Sequence, residues 1–275
     1  MTTPIISSLT RYPIKSAAGI DVSEARLDDF GLWMDRRWML IDPTGRFITQ
    51  RQLPRLALLQ TALAEDGTLQ LRYGDHEPLT VPIPGPGAPT CEAEVWGDRC
   101  EARLANVAHH QWLRDALGVA CRLAFMPEST RRPVTTSSST YVDLSDDGAR
   151  VSFSDGYPLL LISEASLEDL NRRLDAPVPM NRFRPNIVVR GCAPYAEDDW
   201  RRIRVGELEF DVVKPCSRCS ITTTDQADAT RGAEPLRTLA TYRKVGQKVM
   251  FGQNMIHRGA GVVRVGDAIE VLRRA

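Results

Sequence analysis

This chain lacks the usual marks of a secreted, membrane-spanning or nucleic-acid-binding protein. Its six cysteines are too sparse and too irregularly spaced for a secreted disulfide framework. No apolar run approaches membrane-spanning length. The N-terminus has no basic stretch followed by a long apolar one, so nothing there reads as a signal peptide. The 35 basic and 35 acidic residues cancel, and net charge calls for no polyanionic partner, although local cationic clusters can still bind a small anion. A reducing cytoplasm is the expected setting. What remains is an ordinary soluble composition over 275 residues, enough for one large domain or two modest ones with an ample core.

The most informative stretch runs from Lys214 through Pro215, Cys216, Ser217, Arg218, Cys219 and Ser220 to Ile221, Thr222 and Thr223. Alternating apolar residues over 203–213 predict a strand leading into it. Pro215 is expected to stop the ladder, which would present the thiols where a strand ends. A thiolate is the reactive and metal-binding form of cysteine, and the permanent cation of Arg218 stands beside Cys219 in sequence. Several readings stay open on residues alone. Zinc wants a second close pair of ligands, whereas Cys91, Cys100, Cys121 and Cys192 are scattered singly and the four histidines form no obvious pair. A thioredoxin-type redox pair wants a helix after the motif, and the flanks look β-like. Two partly buried structural cysteines are the plain alternative. A soft metal held by one thiolate is the fourth.

The rest of the chain is rich in short strands and turns, which argues for barrels. Residues 5–12 alternate loosely and predict a strand. Asp42-Pro43-Thr44-Gly45 has the residue order of a type I turn. Residues 93–96 and 100–104 predict a hairpin across Gly97-Asp98. Asn106 is a suitable N-cap for a helix to Leu117, closed by Gly118, with Val107, Leu113 and Leu117 on one face. His109 and His110 point in different directions and read as surface or packing residues. Residues 127–148 lack apolar anchors and carry a Ser/Thr run and an acidic stretch, so a domain boundary is placed there. A flap over a site is the functional alternative. Ser163 predicts a second N-cap, with Leu167, Leu170 and Leu174 on one face of its helix.

Cations recur at positions suited to an anion. Lys15 and Ser16 lie in a turn after the first strand, where an ammonium, a hydroxyl and backbone donors could hold a phosphate, although a solvated turn lysine is the commoner outcome. Asp35-Arg36 reads either as a surface pair or as an anion contact. Arg182 and Arg184, two apart in an apparently extended segment, should share a face and could grip a phosphate together or guard a strand edge.

With Thr222-Thr223-Thr224-Asp225 behind it, the cysteine segment resembles the motif of MOSC-domain molybdenum proteins. Tyr12-Pro13-Ile14-Lys15-Ser16, Asp35-Arg36, Arg184-Pro185-Asn186 and the Asp155-to-Leu167 pattern extend the likeness over nearly the whole chain. It is similar, within that family, to the mitochondrial amidoxime-reducing components and to bacterial proteins that detoxify N-hydroxylated bases. The resemblance implies a mainly β fold with a few helices, an N-terminal β-barrel-like domain over 1–126 and a MOSC β-barrel over 127–275. It implies a molybdenum cofactor, Mo-molybdopterin, between them. Cys219 would be the metal ligand and catalytic residue, with Lys15, Ser16, Arg36, Arg184, Asn186, Ser217 and Arg218 on the cofactor. Arg182 is a lesser candidate, and Asp155 and Tyr157 are placed near the cofactor. Cys216 has no ligand role by this analogy, and none is assigned to Gln50-Arg51. Arg37 replaces an aromatic common at its position. The implied reaction is reduction of an N–O bond in amidoximes, hydroxylamines or hydroxylated bases. Some bacterial relatives carry a C-terminal ferredoxin domain, which this sequence does not show. Electrons are therefore expected from a separate ferredoxin, flavoprotein or cytochrome-like partner. The rival expectation is a non-catalytic carrier of the cofactor, or of sulfur as a Cys219 persulfide.

Overall fold

A computed structural model describes residues 3–134, 141 and 148–275. The fold is mainly β with a few helices, as expected. The Ser/Thr run 135–140 and the acidic stretch 143–147, read from sequence as a connection or flap, lie outside the described residues. Among the described residues no helix is long and apolar enough to cross a membrane.

The two halves of the sequence exchange strands. Ile5–Arg11 forms a strand of the largest sheet, between Ile187–Arg190 and Ile20–Val22. Its alternation is loose because a bulge between Ile6 and Ser8 shifts the register, so that Ile6 and Leu9 both reach the core. The sheet continues through Leu159–Ser163, Lys248–Arg258, Leu208–Arg218 and Trp200–Val205 to Ile269–Arg274. Leu159–Ser163 runs parallel to Ile187–Arg190, and a parallel pair requires a crossover, supplied in part by helix Glu164–Asn171. Ser163 caps that helix by accepting from the Ser166 amide at 3.1 Å. In return, Gly261–Arg264 pairs with Glu24–Asp28. The halves are thus joined by main-chain ladders as well as side chains.

The N-terminal part builds its own core. Trp38–Ile41 is buried along its whole length and pairs with Arg122–Phe125, which leads to the hairpin Thr90–Val95 and Asp98–Leu104. Helix Val107–Leu117 begins and ends as its sequence says. The Asn106 side chain accepts from the His109 amide, and Gly118 takes a left-handed conformation at φ 60°. Leu113 and Leu117 are buried, but Val107 is 76 % exposed, so the expected apolar face loses its first member. His109 and His110 are packing residues.

Two local expectations are corrected. Residues 203–213 are not one strand: Gly206, at φ 58°, turns the chain between Trp200–Val205 and Leu208–Arg218. Pro215 does not end the ladder. The register with Lys248–Arg258 shifts on either side of it, and pairing resumes at Ser217 with Met250 and Arg218 with Val249. A proline is tolerated inside a sheet where such irregularities leave its position without an amide to pair. Cys216 therefore lies within the strand, and Cys219 directly follows its end.

Arg132 anchors the segment that brings the chain from one half to the other. It is fully buried and donates to the carbonyls of Ser152 (2.7 Å), Ser154 (2.6 Å) and Asp155 (2.8 Å) and to Asp98 Oδ2 (3.0 Å). Arg132→Ala strands these acceptors and is expected to cost about 3 kcal/mol in urea unfolding. A loss below about 0.5 kcal/mol, the level of an ordinary surface substitution, would show that the segment 152–155 does not depend on it.

Candidate functional site

A cavity of about 140 Å³ is lined by residues of both halves of the sequence, among them all eight assigned to the site from sequence: Lys15, Ser16, Arg36, Arg184, Asn186, Ser217, Arg218 and Cys219. A larger cleft of about 500 Å³ shares Arg184 but has Asp21, Glu164 and Glu168 on its walls and no cysteine. The smaller cavity, which joins thiol and cations, is the candidate site.

Local backbone pairing explains how the N-terminal grips converge. The Tyr12 amide donates to Asp35 Oδ1 at 2.7 Å, the Arg36 amide to the Tyr12 carbonyl at 2.7 Å, and the Lys15 amide to the Trp38 carbonyl at 2.9 Å. Residues 12–15 and 35–38 are therefore laced together, and Lys15, Ser16 and Arg36 follow. Asp35 is buried, so its ion pair with Arg36 is an internal one. Arg36 also donates to Asn186 Oδ1 at 3.0 Å. Asn186 in turn donates to the Thr10 carbonyl and accepts from the Leu160 amide, so it is a tie between strands that fixes Arg36. Arg36 and Arg184 lie 4.5 and 4.2 Å from the centroid of the Tyr12 ring, worth roughly 1–2 kcal/mol per contact when desolvated. Ser16, Arg36 and Arg184 all have positive φ, at 68°, 49° and 55°. Non-glycine residues adopt that region at a cost, and such residues concentrate at functional sites.

Arg182 and Arg184 do not share a face. Met180–Arg182 is a short 3-10 turn and Arg184 is left-handed, so the alternation of an extended chain is lost. Arg182 pairs with Asp225 and does not line the cavity, whereas Arg184 does.

The cysteines are served by a different pairing from the one their sequence suggests. Arg218 reaches back to Cys216, with Nη1 3.0 Å from Sγ, and donates through Nη2 to the Phe183 carbonyl at 2.7 Å. The Cys219 sulfur is met at 3.0 Å by Nη2 of Arg51, from the N-terminal half. Arg51 is carried by a segment pinned across the interface: Gln50 donates to the Ser16 carbonyl at 2.8 Å and to Gln226 at 3.0 Å, and Arg231 donates to the Gln50 carbonyl. Sequence reasoning missed Arg51. Its only signal was the match of the Gln50-Arg51 segment to the family pattern, since 168 residues separate it from Cys219. The other four cysteines are pushed up by burial, Cys100, Cys121 and Cys192 to about 11, and behave as protonated packing residues.

Electrostatics define what the cavity can hold. Lys15 is 5 % exposed, and its ammonium donates to the Phe153 carbonyl at 2.8 Å and to Asp155 Oδ1 at 2.5 Å. Burial lowers its pKa, and Asp155 only partly restores it. The Asp155 side chain is 59 % exposed; local desolvation would raise its carboxyl, but Lys15 outweighs it, with help from Trp96 and Arg51, and holds the acid well below the ordinary range. Burial also pushes Arg184 down to about 10. Three of the lining arginines keep a buried nitrogen with no hydrogen-bond partner: Nη1 of Arg51, Nη2 of Arg184 and Nε of Arg218. Unpartnered buried donors on cations are costly, and an anion would relieve them. Among the described residues no three His, Cys, Asp or Glu side chains converge to form a zinc-type cage. Cys219 as one soft donor with partly unpartnered cations around it fits a metal whose other ligands belong to an anionic organic cofactor.

Residues 3–120 match the MOSC N-terminal beta barrel domain and residues 148–270 match the MOSC domain. The chain belongs to the MOSC family. It is 37 % identical to mouse mitochondrial amidoxime-reducing component 1 over 97 % of this chain and 82 % of that protein. It is 31 % identical to human mitochondrial amidoxime reducing component 2 over 96 % and 82 %, respectively. Molybdenum cofactor sulfurase of Arabidopsis thaliana is 32 % identical over 90 % of this chain, but the match spans only 32 % of that longer protein.

Two measurements test the site. Asp155 titrates below the ordinary value of 3.8, so its contribution to stability is complete above about pH 4 and is lost as the pH falls below it. Asp155→Asn should therefore flatten the acid limb of a stability–pH curve between about pH 5 and 2; superimposable limbs would contradict the ion pair. Arg184→Gln should weaken pyrophosphate binding by about tenfold in calorimetry, the loss expected for one charge-assisted hydrogen bond. Unchanged affinity would remove Arg184 from the anion site.

Proposed function

We propose that this protein is a molybdenum-cofactor oxidoreductase that reduces N-hydroxylated compounds, such as amidoximes, hydroxylamines and hydroxylated bases. The observation that carries the proposal is the Cys219 sulfur set in a cavity whose arginines keep unpartnered buried nitrogens. The reaction takes two electrons and two protons and converts an N–OH to an N–H with release of water. The electrons come from a separate redox protein of the ferredoxin, flavoprotein or cytochrome-like kind, consistent with the named activity of the amidoxime-reducing relatives.

The chain's own residues divide into three roles. Lys15, Ser16, Arg36 and Arg184 hold the anionic end of the cofactor, with Asn186 keeping Arg36 in place through the 3.0 Å contact. Ser217 and Arg218 approach it from the cysteine strand, and Cys219 supplies the thiolate. Arg51 holds the sulfur in position from the opposite half. The bound molybdenum cofactor supplies the two-electron redox chemistry, while the protein supplies binding, orientation and electrostatics. The segment 1–126 on this reading is the N-terminal barrel domain and 127–275 the MOSC domain.

The similarity to cofactor sulfurases supports a second reading, a carrier of cofactor or of sulfur as a Cys219 persulfide. A bare persulfide needs no cationic cavity, and the buried arginine nitrogens weigh against that form of it. Turnover separates the two, because a carrier reduces no hydroxylamine when electrons are supplied chemically.

The deciding experiment compares wild type, Cys219→Ser and Cys216→Ser made in a cofactor-competent host. Wild type should carry about one molybdenum and one pterin per chain, as a single thiolate site implies. Cys219→Ser should retain some pterin through the cations and lose activity, while Cys216→Ser should keep both metal and turnover. Well-folded wild type with neither metal nor pterin would sink the proposal. Loss of activity in Cys216→Ser alone would favour thiol–disulfide chemistry.

A further inference from the structure

Trp96 is placed unlike any other tryptophan in the chain. Trp38 and Trp200 are fully buried and Trp33 and Trp112 are packed against the core, whereas Trp96 is 54 % exposed. It occupies the first position of a two-residue turn between Thr90–Val95 and Asp98–Leu104, with φ 56° there and 92° at Gly97. Hairpin turns with positive φ at both positions favour Asn, Asp or Gly. A bulky aromatic here works against the turn, and its ring is not recovering that cost in the core.

The ring is nevertheless held firmly, and by residues of the candidate site. Its Nε1 donates to Asp155 Oδ1 at 3.0 Å. The Arg51 guanidinium lies 4.7 Å from its centroid, and Phe47 packs against it at 5.1 Å, tilted by 54°. Arg51 is the same residue that meets the Cys219 sulfur at 3.0 Å. One guanidinium therefore links the exposed indole to the reactive sulfur. Asp155 is already engaged by Lys15 and faces Arg51 at 3.8 Å, so its charge is not free to attract a cation. It offers an oriented, half-open π-surface.

We propose that Trp96 is a substrate platform at the rim of the cavity, on which flat, neutral aromatic rings stack while their N-hydroxyl group reaches toward Cys219. The proposal rests on the reductase reading and deepens it: the N-terminal half selects the substrate's shape, and the C-terminal half holds the thiolate. An indole fixed at its nitrogen and backed by a cation loses little freedom on stacking, and base–aromatic or aromatic pairs are sequence- and substituent-tolerant. Aromatic N-hydroxylated compounds should therefore be preferred over aliphatic ones bearing the same reacting group.

The test uses the loaded enzyme with chemically supplied electrons and two amidoximes, benzamidoxime and acetamidoxime. Trp96→Asn creates the Asn-Gly pair this turn favours, which protects the fold, and Trp96→Phe retains an aromatic face. The kcat/KM preference for benzamidoxime over acetamidoxime should fall about tenfold in Trp96→Asn, mainly through the benzamidoxime KM, and recover largely in Trp96→Phe. Saturation-transfer NMR of benzamidoxime with cofactor-free chain provides a second readout: transfer to the ring protons should be present in wild type and Trp96→Phe and absent in Trp96→Asn. An unchanged preference, or equal losses for both amidoximes, overturns the platform. If wild type reduces neither compound, the reaction reading fails, and the NMR result alone decides whether Trp96 binds flat aromatics.

Discussion

The structure around the candidate site depends on the cost of burying positive charge. Lys15, Arg36, Arg51, Arg184 and Arg218 meet in one small cavity, with Asp35 and Asp155 as the carboxylates paired to them. Burial pushes the pKa values of Lys15 and Arg184 down, the direction that marks a cation short of compensation. Main-chain carbonyls make up part of the deficit: Phe153 for Lys15, Ala17 for Arg184, Phe183 for Arg218. The remainder is left in nitrogens with no partner. A cavity with unpartnered cationic nitrogens is electrostatically incomplete, the property on which the proposed anion site rests.

Such a cavity has to be rigid, because mobile cations would turn toward water. Exchange of strands between the halves provides the rigidity. Ile5–Arg11 lies in the sheet of the C-terminal half, and Gly261–Arg264 lies against Glu24–Asp28. Lys15 and Ser16 follow one strand of that sheet, Asn186 directly precedes another, and Ser217 and Arg218 end a third, while Arg51 is held at hydrogen-bonding distance from Cys219 although it belongs to the opposite half. The left-handed backbone at Ser16, Arg36 and Arg184 is the local counterpart, a conformational cost accepted where side chains must converge.

The irregular strand carrying the cysteines follows the same logic. A regular ladder would alternate Cys216 and its neighbours between two faces with fixed spacing. Register shifts around Pro215 bend the strand instead, and Cys219 emerges just beyond its end on the cavity wall. Arg218 then serves Cys216 and the Phe183 carbonyl, while Cys219 is left to a cation from across the interface.

By itself the sequence determined the local elements and the chemical inventory. Asn106 and Ser163 act as caps, Gly118 stops its helix, and the cysteine motif with its lysine and arginine grips marked the residues that line the cavity. These features are legible because caps, turns and short motifs depend on neighbours in the chain. Tertiary structure alone decided which guanidinium meets which sulfur, that Arg182 leaves the site while Arg184 enters it, and that Pro215 sits inside a ladder. It also brought Trp96 into a hydrogen bond with Asp155 on the cavity wall, 59 residues away in sequence. The physical reason is that electrostatic pairing and register are set by distance in space, and pairs such as Arg51–Cys219 or Arg36–Asn186, far apart in sequence, are neighbours only in the folded chain.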